Sequence, residues 1–282
     1  MAKLLCCDLD GTLFYPKGTK SCISKKNVRF LRDFIDAGNR LVLVTSRSKQ
    51  FLERLKKEID RPFDYMPCSS AEVYVEGERV RECPINREDL ISVMNFLDET
   101  HRPIAYMMTT DKYPCLIKQN SPVGKFLYFF YRLYYFFQGV YREPYVFDND
   151  IFDEELKNGR IYKVMVFYGL GKSKKTISKE LNKLIRDKHP NIESSWSLIV
   201  NELTANGCSK AEGIEFYRKH LNIDINDVYV VGDSGNDISM FEKYYEHSYV
   251  MQHAYPSVKK YAKYTVAKVF KLREFVLEGE NK

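Results

Sequence analysis

The most informative segment of the sequence is Lys3–Thr12, which runs Lys-Leu-Leu-Cys-Cys-Asp-Leu-Asp-Gly-Thr. Its first half is a short apolar run that ends in an acid, a pattern typical of a buried strand in a parallel sheet. Ligands of open α/β sheets bind at the carboxyl ends of the strands. The polar second half of the stretch is therefore predicted to lie at a ligand-binding edge.

Alternating helices and strands follow this stretch. Apolar residues at helical spacing after Ser24 predict a helix that stops at Gly38, and Arg40–Thr45 predicts a second buried strand. A strand, a helix and a further strand in this order imply a right-handed parallel crossover. The same alternation returns later, with a helix from Ser209, a strand at Asp227–Val231, a helix at 236–245 and a strand at 264–267. The sequence therefore predicts an α/β fold with a Rossmann-like, doubly wound parallel-sheet core.

The pattern changes between Pro84 and Thr204. Helices and strands occur there without regular alternation, with helix patterns near 90–97 and 174–188 and strand patterns at 104–109, 161–168 and 197–203. We interpret this segment as an inserted α+β domain that splits the core. Residues 1–83 and 205–282 are then one domain, and residues 84–204 are the second.

Composition excludes several classes of protein. The net charge is +6, from 44 basic and 38 acidic residues among 282, and this balance is too diffuse to indicate nucleic-acid binding. No apolar stretch reaches the roughly 18 residues of a membrane-spanning helix, and no secretory signal is recognisable. The seven cysteines form no Cys-x-x-Cys pair, so we expect reduced thiols and a cytoplasmic protein.

Two carboxylates in the segment Lys3–Thr12 can take different chemical roles. Asp8 and Asp10 are separated by one residue, so alternation along an extended chain predicts that they point to the same side. One carboxylate can hold a metal ion and attack, while the other carries a proton. The alternative of a calcium loop is disfavoured because Thr12 and the residues after it lack the required oxygen ligands.

Three further segments carry polar residues at strand or helix ends. Gly232–Asp237 (Gly-Asp-Ser-Gly-Asn-Asp) follows a strand and has the composition of a metal-holding loop, although an Asx turn would explain it as well. Thr45-Ser46-Arg47 ends the second strand and offers hydroxyl and N–H groups to an oxyanion. Lys210 lies in the first turn of a helix, where the dipole disfavours a cation, and this favours an anion-facing role.

Together these motifs resemble those of the haloacid dehalogenase superfamily of phosphohydrolases, in particular its Cof-type group with the larger α/β cap. Four motifs stand in the family's order: Asp8–Thr12, Val44–Arg47, Ser209-Lys210 and Gly232–Asp237. The insert lies between the second and third motifs, where the family has its cap. The resemblance covers essentially the whole chain.

The resemblance implies a role for each matching residue. Asp8 would be the nucleophile, Asp10 the general acid and base, and Lys210 the partner of both nucleophile and phosphate. The phosphate-binding set would be Thr45, Ser46, Arg47, Lys210 and Asn236. A Mg²⁺ cofactor would be held by Asp8, Asp10 (through its backbone carbonyl), Asp233 and Asp237. Such a site suits a hard cation because carboxylates and waters are its preferred ligands.

The sequence departs from the family pattern at three places. Ser46 stands where many relatives have glycine, Cys68–Ala71 where Asn-Gly-Ala is frequent, and His253-Ala254 where Asn-Ala is frequent. The departure at Cys68–Ala71 removes the asparagine that would make the family's usual contact near the substrate. Glu202 matches an acid near the junction of cap and core, although a salt bridge at a strand end explains it equally well.

The expected function is a Mg²⁺-dependent phosphatase that acts on a small phosphorylated metabolite, with a sugar phosphate favoured. The alternatives are a phosphosugar mutase of the same superfamily and a sensor that binds a phosphorylated ligand without catalysis. The insert is expected to form a lid over Asp8 that moves relative to the core. Its aromatic run at 126–137 is interpreted as buried cap helix; an oligomer contact, a membrane-surface patch and an aromatic wall over the substrate remain alternatives.

Overall fold

The computed structural model describes residues 2–16, 21–120, 145–169, 172–197 and 200–277. Contacts between Cα atoms divide the chain into two compact units. The described residues of Met1–Arg81 and Lys210–Lys282 belong to the first unit, which we call the core unit. The second unit, which we call the insert, takes its described residues from the chain between Glu82 and Ser209.

The core unit is built on an eight-stranded sheet. Its strands are β1 Leu4–Cys7, β2 Arg40–Val44, β3 Asp64–Met66, β4 Glu72–Val75, β5 Glu78–Glu82, β12 Val228–Gly232, β13 Ser248–Met251 and β14 Tyr264–Val266. They lie in the order β14-β13-β12-β1-β2-β3-β4-β5. The central pairs, β1 with β12 and β1 with β2, are parallel, and β4 joins β3 in antiparallel orientation. This is a mixed α/β fold with a largely parallel core sheet, as predicted.

Helices precede, connect or follow the parallel strands of the core unit. They are α1 Lys25–Asp36, α2 Lys49–Ile59, α6 Lys210–His220, α7 Ile238–Lys243, α8 Pro256–Lys259 and α9 Arg273–Val276. Helix α1 begins as predicted, because the Ser24 side chain accepts a hydrogen bond from the backbone N–H of Asn27. All four residues of β1 are fully buried, so the residues that follow this strand start from a rigid, packed base.

The insert contains a six-stranded sheet among its described residues. Its strands are β6 Ala105–Thr110, β7 Cys115–Gln119, β8 Tyr145–Phe147, β9 Ile161–Phe167, β10 Ile192–Ser197 and β11 Val200–Ala205, and its helices are α3 Arg87–Thr100, α4 Asn149–Asn158 and α5 Lys172–Lys188. The strands lie in the order β10-β11-β9-β6-β7-β8. Most of the neighbouring pairs are antiparallel. The insert thus has an α+β organisation of its own.

The two faces of the insert sheet differ. One face packs on the three helices, through side chains such as Leu90, Phe152 and Ile185. The other face, which we call the open face, carries a separate apolar cluster of Met107, Cys115 and Ile117 with Met165 and Phe167 beside it. Register places Lys163 opposite Thr109, and Glu202 opposite Met165, on this open face. Both charged residues are buried, at 3% and 2% exposure.

Some sequence predictions need correction or fall outside the described residues. The single strand predicted at 197–203 is wrong, because two antiparallel strands, β10 and β11, meet in this region. The first of these strands, β10, is mostly polar (Ile-Glu-Ser-Ser-Trp-Ser), so its sequence gives little indication of a strand. The aromatic run at 126–137 lies outside the described residues. Among the described helices, none is long and apolar enough to cross a membrane.

Candidate active site

Asp8 occupies the first position after the central strand β1. Its backbone N–H donates to the carbonyl of Val231 at 3.0 Å, so the ladder between β1 and β12 continues through this residue. The residue is 5% exposed. The main chain of Asp8 is therefore held by the sheet itself, while its carboxylate extends from the carboxyl edge.

Lys210 joins two of the carboxylates at this edge. Its Nζ donates to Oδ1 of Asp8 at 2.7 Å and to Oδ1 of Asp237 at 2.6 Å. The side chains of Lys210 and Asp237 have no exposed surface. Because an uncompensated charge is very costly at such depth, the ammonium and the two carboxylates compensate one another.

Asp237 also organises the loop that contains Asp233. Its Oδ2 accepts hydrogen bonds from the backbone N–H groups of Asp233 and Ser234, each at 2.9 Å. Gly232 gives this carboxylate room, since a Cβ there would lie 2.4 Å from Cγ of Asp237. Both oxygens of Asp237 are therefore engaged by donors of the protein itself.

Asp233 is the third acid of the cluster. One ligand atom from each of Asp8, Asp233 and Asp237 can be chosen so that all lie within 4.8 Å of one another. The hydroxyl of Thr12 donates to Oδ1 of Asp233 at 3.3 Å. Gly11 has φ +82°, and a Cβ there would lie 2.3 Å from Oδ2 of Asp233. This contact explains why glycine follows Asp10 in the first motif: the turn must pass directly against a carboxylate.

The electrostatics of the cluster are dominated by burial. Burial raises the pKa of Asp8 well above its usual value, with Asp237 and Asp233 raising it further and Lys210 lowering it. Burial likewise raises the pKa of Asp233. For Lys210, burial works to lower the pKa, but the carboxylates of Asp237 and Asp8 outweigh it and raise the pKa above its usual value. Three acids face one lysine, so the fully ionised cluster lacks positive charge.

Asp10 does not belong to this cluster in the structure. Its carboxylate forms a bidentate ion pair with Arg47, through Nε at 2.6 Å and Nη2 at 2.7 Å, and the Asp10 side chain is 46% exposed. The Arg47 guanidinium lies over the ring of Phe51, 4.1 Å from its centroid. Arg47 is thus held on a second side by a cation–π contact.

The loop after β2 places the predicted phosphate-binding residues. Thr45 is 1% exposed, and its hydroxyl oxygen accepts the backbone N–H of Arg47 at 3.1 Å. This leaves the hydroxyl proton of Thr45 available to a ligand. Ser46 is half-buried in the same turn.

A strained turn supports this loop. Cys68, Ser69 and Ser70 have φ of 52°, 55° and 72°, and none of them is glycine. The N–H of Cys68 donates to the carbonyl of Arg47 at 3.0 Å, and that of Ser69 to the carbonyl of Thr45 at 2.9 Å. Backbone strain of this kind persists only where the surroundings enforce it, and it clusters at functional sites.

The same turn contacts the helix that carries Lys210. A Cβ at Gly213 of α6 would lie 2.3 Å from Cβ of Ser70, so helix and turn pack at the closest distance that glycine allows. Through this contact the loop of Thr45 and the helix of Lys210 share one support. The sequence showed only that Cys68–Ala71 departs from the family pattern.

Asn236 lies in the turn between Asp233 and Asp237 and is 8% exposed. Its Oδ1 accepts the hydroxyl of Ser234 at 2.6 Å, and among the described residues its amide nitrogen has no protein acceptor. The structure therefore joins Asp8, Lys210, Asp233 and Asp237 by direct contact. It pairs Asp10 with Arg47, and it places Thr45 and Asn236 in the flanking loops.

Sequence comparison agrees with this geometry. The pattern of the haloacid dehalogenase-like hydrolases matches residues 5–270. A Mycoplasma genitalium protein that is provisionally named a phosphatase is 29% identical to this chain. The match covers 86% of this chain and 84% of the length of that protein.

Comparison of structures points to the same fold. A solved structure described as a subclass IIB sugar phosphatase of this superfamily has a TM-score of 0.73 at 21% identity, over 97% of this chain and 98% of that one. A haloacid dehalogenase-like hydrolase from B. subtilis has a TM-score of 0.79 at 18% identity, over 98% and 100% of the two chains.

A parallel α/β sheet whose central strand ends in a buried, lysine-paired aspartate defines a class of enzymes that act at the carboxyl edge of the sheet. With the family pattern matched over nearly the whole chain, the protein belongs to the haloacid dehalogenase-like hydrolases.

Proposed function

We propose that the protein is a Mg²⁺-dependent phosphatase that hydrolyses a small phosphate monoester through an aspartyl-phosphate on Asp8. One observation carries the proposal: the buried ammonium of Lys210 contacts both Asp8 and Asp237 at the carboxyl end of the central strand. An anionic nucleophile and an anionic ester repel each other, so attack requires positive charge at this position. The family and the provisional phosphatase name of a relative support the same reaction.

The acidic cluster fits a divalent cation. Three carboxylates and one ammonium leave a net charge of −2. Burial raises the pKa of Asp8 and of Asp233, and the neighbouring carboxylates raise both further. Oδ2 of Asp8 accepts no hydrogen bond from the described residues, so it is open to a ligand. Asp8, Asp233 and the backbone carbonyl of Asp10 would hold Mg²⁺, which supplies charge neutralisation for phosphoryl transfer.

Asp237 serves this site by anchoring other groups. One of its oxygens is bonded to Lys210, and the other to the N–H groups of Asp233 and Ser234. It therefore adds negative charge to the cluster and fixes both the ammonium and the loop of Asp233.

The chain's own residues account for both halves of the reaction. An oxygen of Asp8 attacks phosphorus, the bond from phosphorus to the ester oxygen breaks, and Asp10 gives that oxygen a proton. Asp10, now a carboxylate, takes a proton from water as the water attacks the aspartyl-phosphate. The bond between Asp8 and phosphorus then breaks and inorganic phosphate leaves. Lys210 and the Thr45 hydroxyl bind the phosphoryl oxygens in both steps.

The Asp10 geometry gives this cycle a preceding step. Asp10 is paired with Arg47 in the structure, and both of its carboxylate oxygens accept hydrogen bonds from the guanidinium. The contact between Asp10 and Arg47 must therefore break, and Asp10 must contact the ester oxygen, before Asp10 can donate a proton. Arg47, once it has left Asp10, can contact the anionic substrate.

We further propose that the insert is a cap that selects the ester, with a sugar phosphate as the favoured class. The similarity in fold to a subclass IIB sugar phosphatase supports this choice. In this proposal residues 84–204 act as the cap domain and residues 1–83 and 205–282 as the catalytic domain.

Trapping of the intermediate tests the proposed function. The purified protein with Mg²⁺ should release phosphate from members of a panel of phosphate monoesters, and EDTA should stop the release. Asp8→Asn should abolish turnover, and wild type should bind beryllofluoride, a phosphoryl mimic, while Asp8→Asn should not. Phosphate release by a folded Asp8→Asn protein would refute the mechanism. Conversion of one sugar phosphate into its isomer in the presence of a bisphosphate activator, without release of phosphate, would indicate a mutase instead.

A further inference from the structure

His253 stands next to the proposed metal-binding acid Asp233. It follows β13, which pairs in parallel with β12, so both residues lie at the carboxyl edge of the core sheet. Nε2 of His253 is 3.6 Å from Oδ2 of Asp233, and the imidazole is one-third exposed. At this distance the contact is electrostatic and is not yet a formed hydrogen bond.

The imidazole is held on its other side by an aromatic contact. The rings of Tyr15 and His253 have their centroids 4.2 Å apart, and the Lys268 ammonium lies 3.9 Å from the centroid of Tyr15. Lys268, Tyr15, His253 and Asp233 thus form one continuous series of contacts, in which the rings of Tyr15 and His253 are tilted by 44°; we call it the imidazole contact chain. A ring packed in this way has few alternative positions, so its nitrogen keeps one direction towards Asp233.

The imidazole contact chain also restricts the orientation of the Asp233 carboxylate. Oδ1 accepts the Thr12 hydroxyl, and Oδ2 faces His253. With one contact on each oxygen, rotation of the carboxylate about its Cβ–Cγ bond is restricted. Groups that orient a metal ligand in this manner set metal affinity, and their removal typically weakens it by about 10- to 100-fold.

We propose that His253 is a positioning residue that orients Asp233 for the divalent cation, and that Tyr15 holds the imidazole in place for this task. The proposal rests on the proposed Mg²⁺-dependent function. It assigns His253 no contact with the ester and no part in proton transfer. His253 therefore acts on cation binding, and through it on turnover at low Mg²⁺.

Direct cation binding tests the proposal without relying on turnover. Isothermal titration with Mg²⁺ alone should show a Kd about 10-fold weaker for His253→Ala than for wild type. His253→Gln keeps an N–H group at a similar distance from the backbone and should recover most of the affinity. Tyr15→Phe should behave like wild type, whereas Tyr15→Leu should weaken binding in the same direction as His253→Ala.

A second histidine serves as the matched control. His247 stacks on Tyr229 with centroids 4.4 Å apart, away from the acidic cluster. His247→Ala should leave the Mg²⁺ Kd unchanged, while circular dichroism confirms that both alanine variants are folded. An unchanged Kd in folded His253→Ala would overturn the proposal.

Kinetics separate a positioning role from a chemical one. In His253→Ala the Mg²⁺ concentration for half-maximal activity should rise by the same factor as the Kd, while kcat at saturating Mg²⁺ and the KM for the ester stay close to wild type. A lower kcat with an unaltered Kd would place His253 in the chemistry and refute the positioning role. If wild type binds Mg²⁺ in a His253-dependent way but hydrolyses no ester, the proposed function fails and this inference stands.

Discussion

The carboxyl edge of the core sheet and the open face of the insert sheet both hold buried charges, but they hold them differently. At the core edge, Lys210 lies within 2.7 Å of two carboxylates, and two glycines allow backbone to approach within contact distance of acids. On the open face, Lys163 and Glu202 lie on neighbouring strands among methionine and phenylalanine side chains. The core edge is therefore a set of mutually dependent positions.

On the open face of the insert, strand alternation directs the side chains away from the helices that cover the other face. A residue there can be replaced by another of similar size without disturbing the helix-covered face, because the two sets of side chains point in opposite directions. We infer that the carboxyl edge of the core sheet carries the reaction and that the open face of the insert carries the selectivity among esters. The following predictions test this division.

The largest effect is expected at Lys210. Lys210→Met should lower kcat/KM for every ester by at least about 10³-fold, because both the phosphoryl group and Asp8 lose their cation. It should also cost about 3–5 kcal/mol in unfolding free energy, since two buried carboxylates lose their partner. Phosphate release and urea denaturation measure the two effects.

Lys219 provides the control on the same helix. Its ammonium is 68% exposed and pairs with Glu215 at 3.0 Å, so Lys219→Met should cost no more than about 1 kcal/mol and leave kcat/KM unchanged. Equal losses of kcat/KM and of unfolding free energy in Lys210→Met and Lys219→Met would show that both effects come from the helix and not from the buried ammonium.

The next effect concerns Gly11. Gly11→Ala places a Cβ against the carboxylate of Asp233 and should raise the Mg²⁺ requirement by about 10- to 100-fold. Gly38 has a nearly identical φ of +85°, but a Cβ there would meet no atom within 4 Å, so Gly38→Ala separates backbone strain from the clash. It should cost about 1 kcal/mol of stability and leave the Mg²⁺ dependence as in wild type.

A smaller effect is expected on the open face of the insert. Glu202→Gln should change the ratio of kcat/KM values between esters by about 10-fold. The kcat/KM for the best ester should change by no more than about 10-fold. The neighbouring Leu203 points to the helix-covered core, so Leu203→Ala should cost about 2–5 kcal/mol and leave the preference unaltered. Parallel losses on all esters in Glu202→Gln would contradict a selective role for this face.

The smallest effect contrasts two kinds of acid within the core unit. At Glu215 burial works to raise the pKa, but hydrogen bonds from Arg218 and Lys219 outweigh it and lower the pKa to about 2. Because the folded pKa is depressed, the stabilisation is complete above the unfolded pKa and is lost as the pH falls towards 2. The unfolding free energy of wild type should exceed that of Glu215→Gln by about 1–2 kcal/mol at pH 6 and by almost nothing at pH 2.

Glu246→Gln is the reference for that measurement. Glu246 pairs with Lys263, but its side chain is 73% exposed, so its substitution should change stability little at either pH. A pH-independent difference between wild type and Glu215→Gln would show that packing, rather than charge, accounts for the effect.

Much of the core architecture could be predicted because it depends on local patterns. The apolar run before Asp8, the Ser24 cap and the second strand at Arg40 each follow from short-range preferences, and the structure contains all three. The pair β10 and β11 was missed because its first strand is polar and half-buried, so periodicity gives little signal there. The roles of the individual site residues stay predictions that the experiments above address.

Residue types at short spacing were sufficient to predict the family, the α/β class and the order of the polar motifs. Four contacts of the site are seen only in the folded structure. Asp10 pairs with Arg47, and His253 lies 3.6 Å from Asp233. Gly11 packs against Asp233, and Gly213 packs against Ser70. Each of these contacts joins residues far apart in the chain. Their geometry depends on how strands and helices pack at the sheet edge, and residue spacing carries no information about that packing.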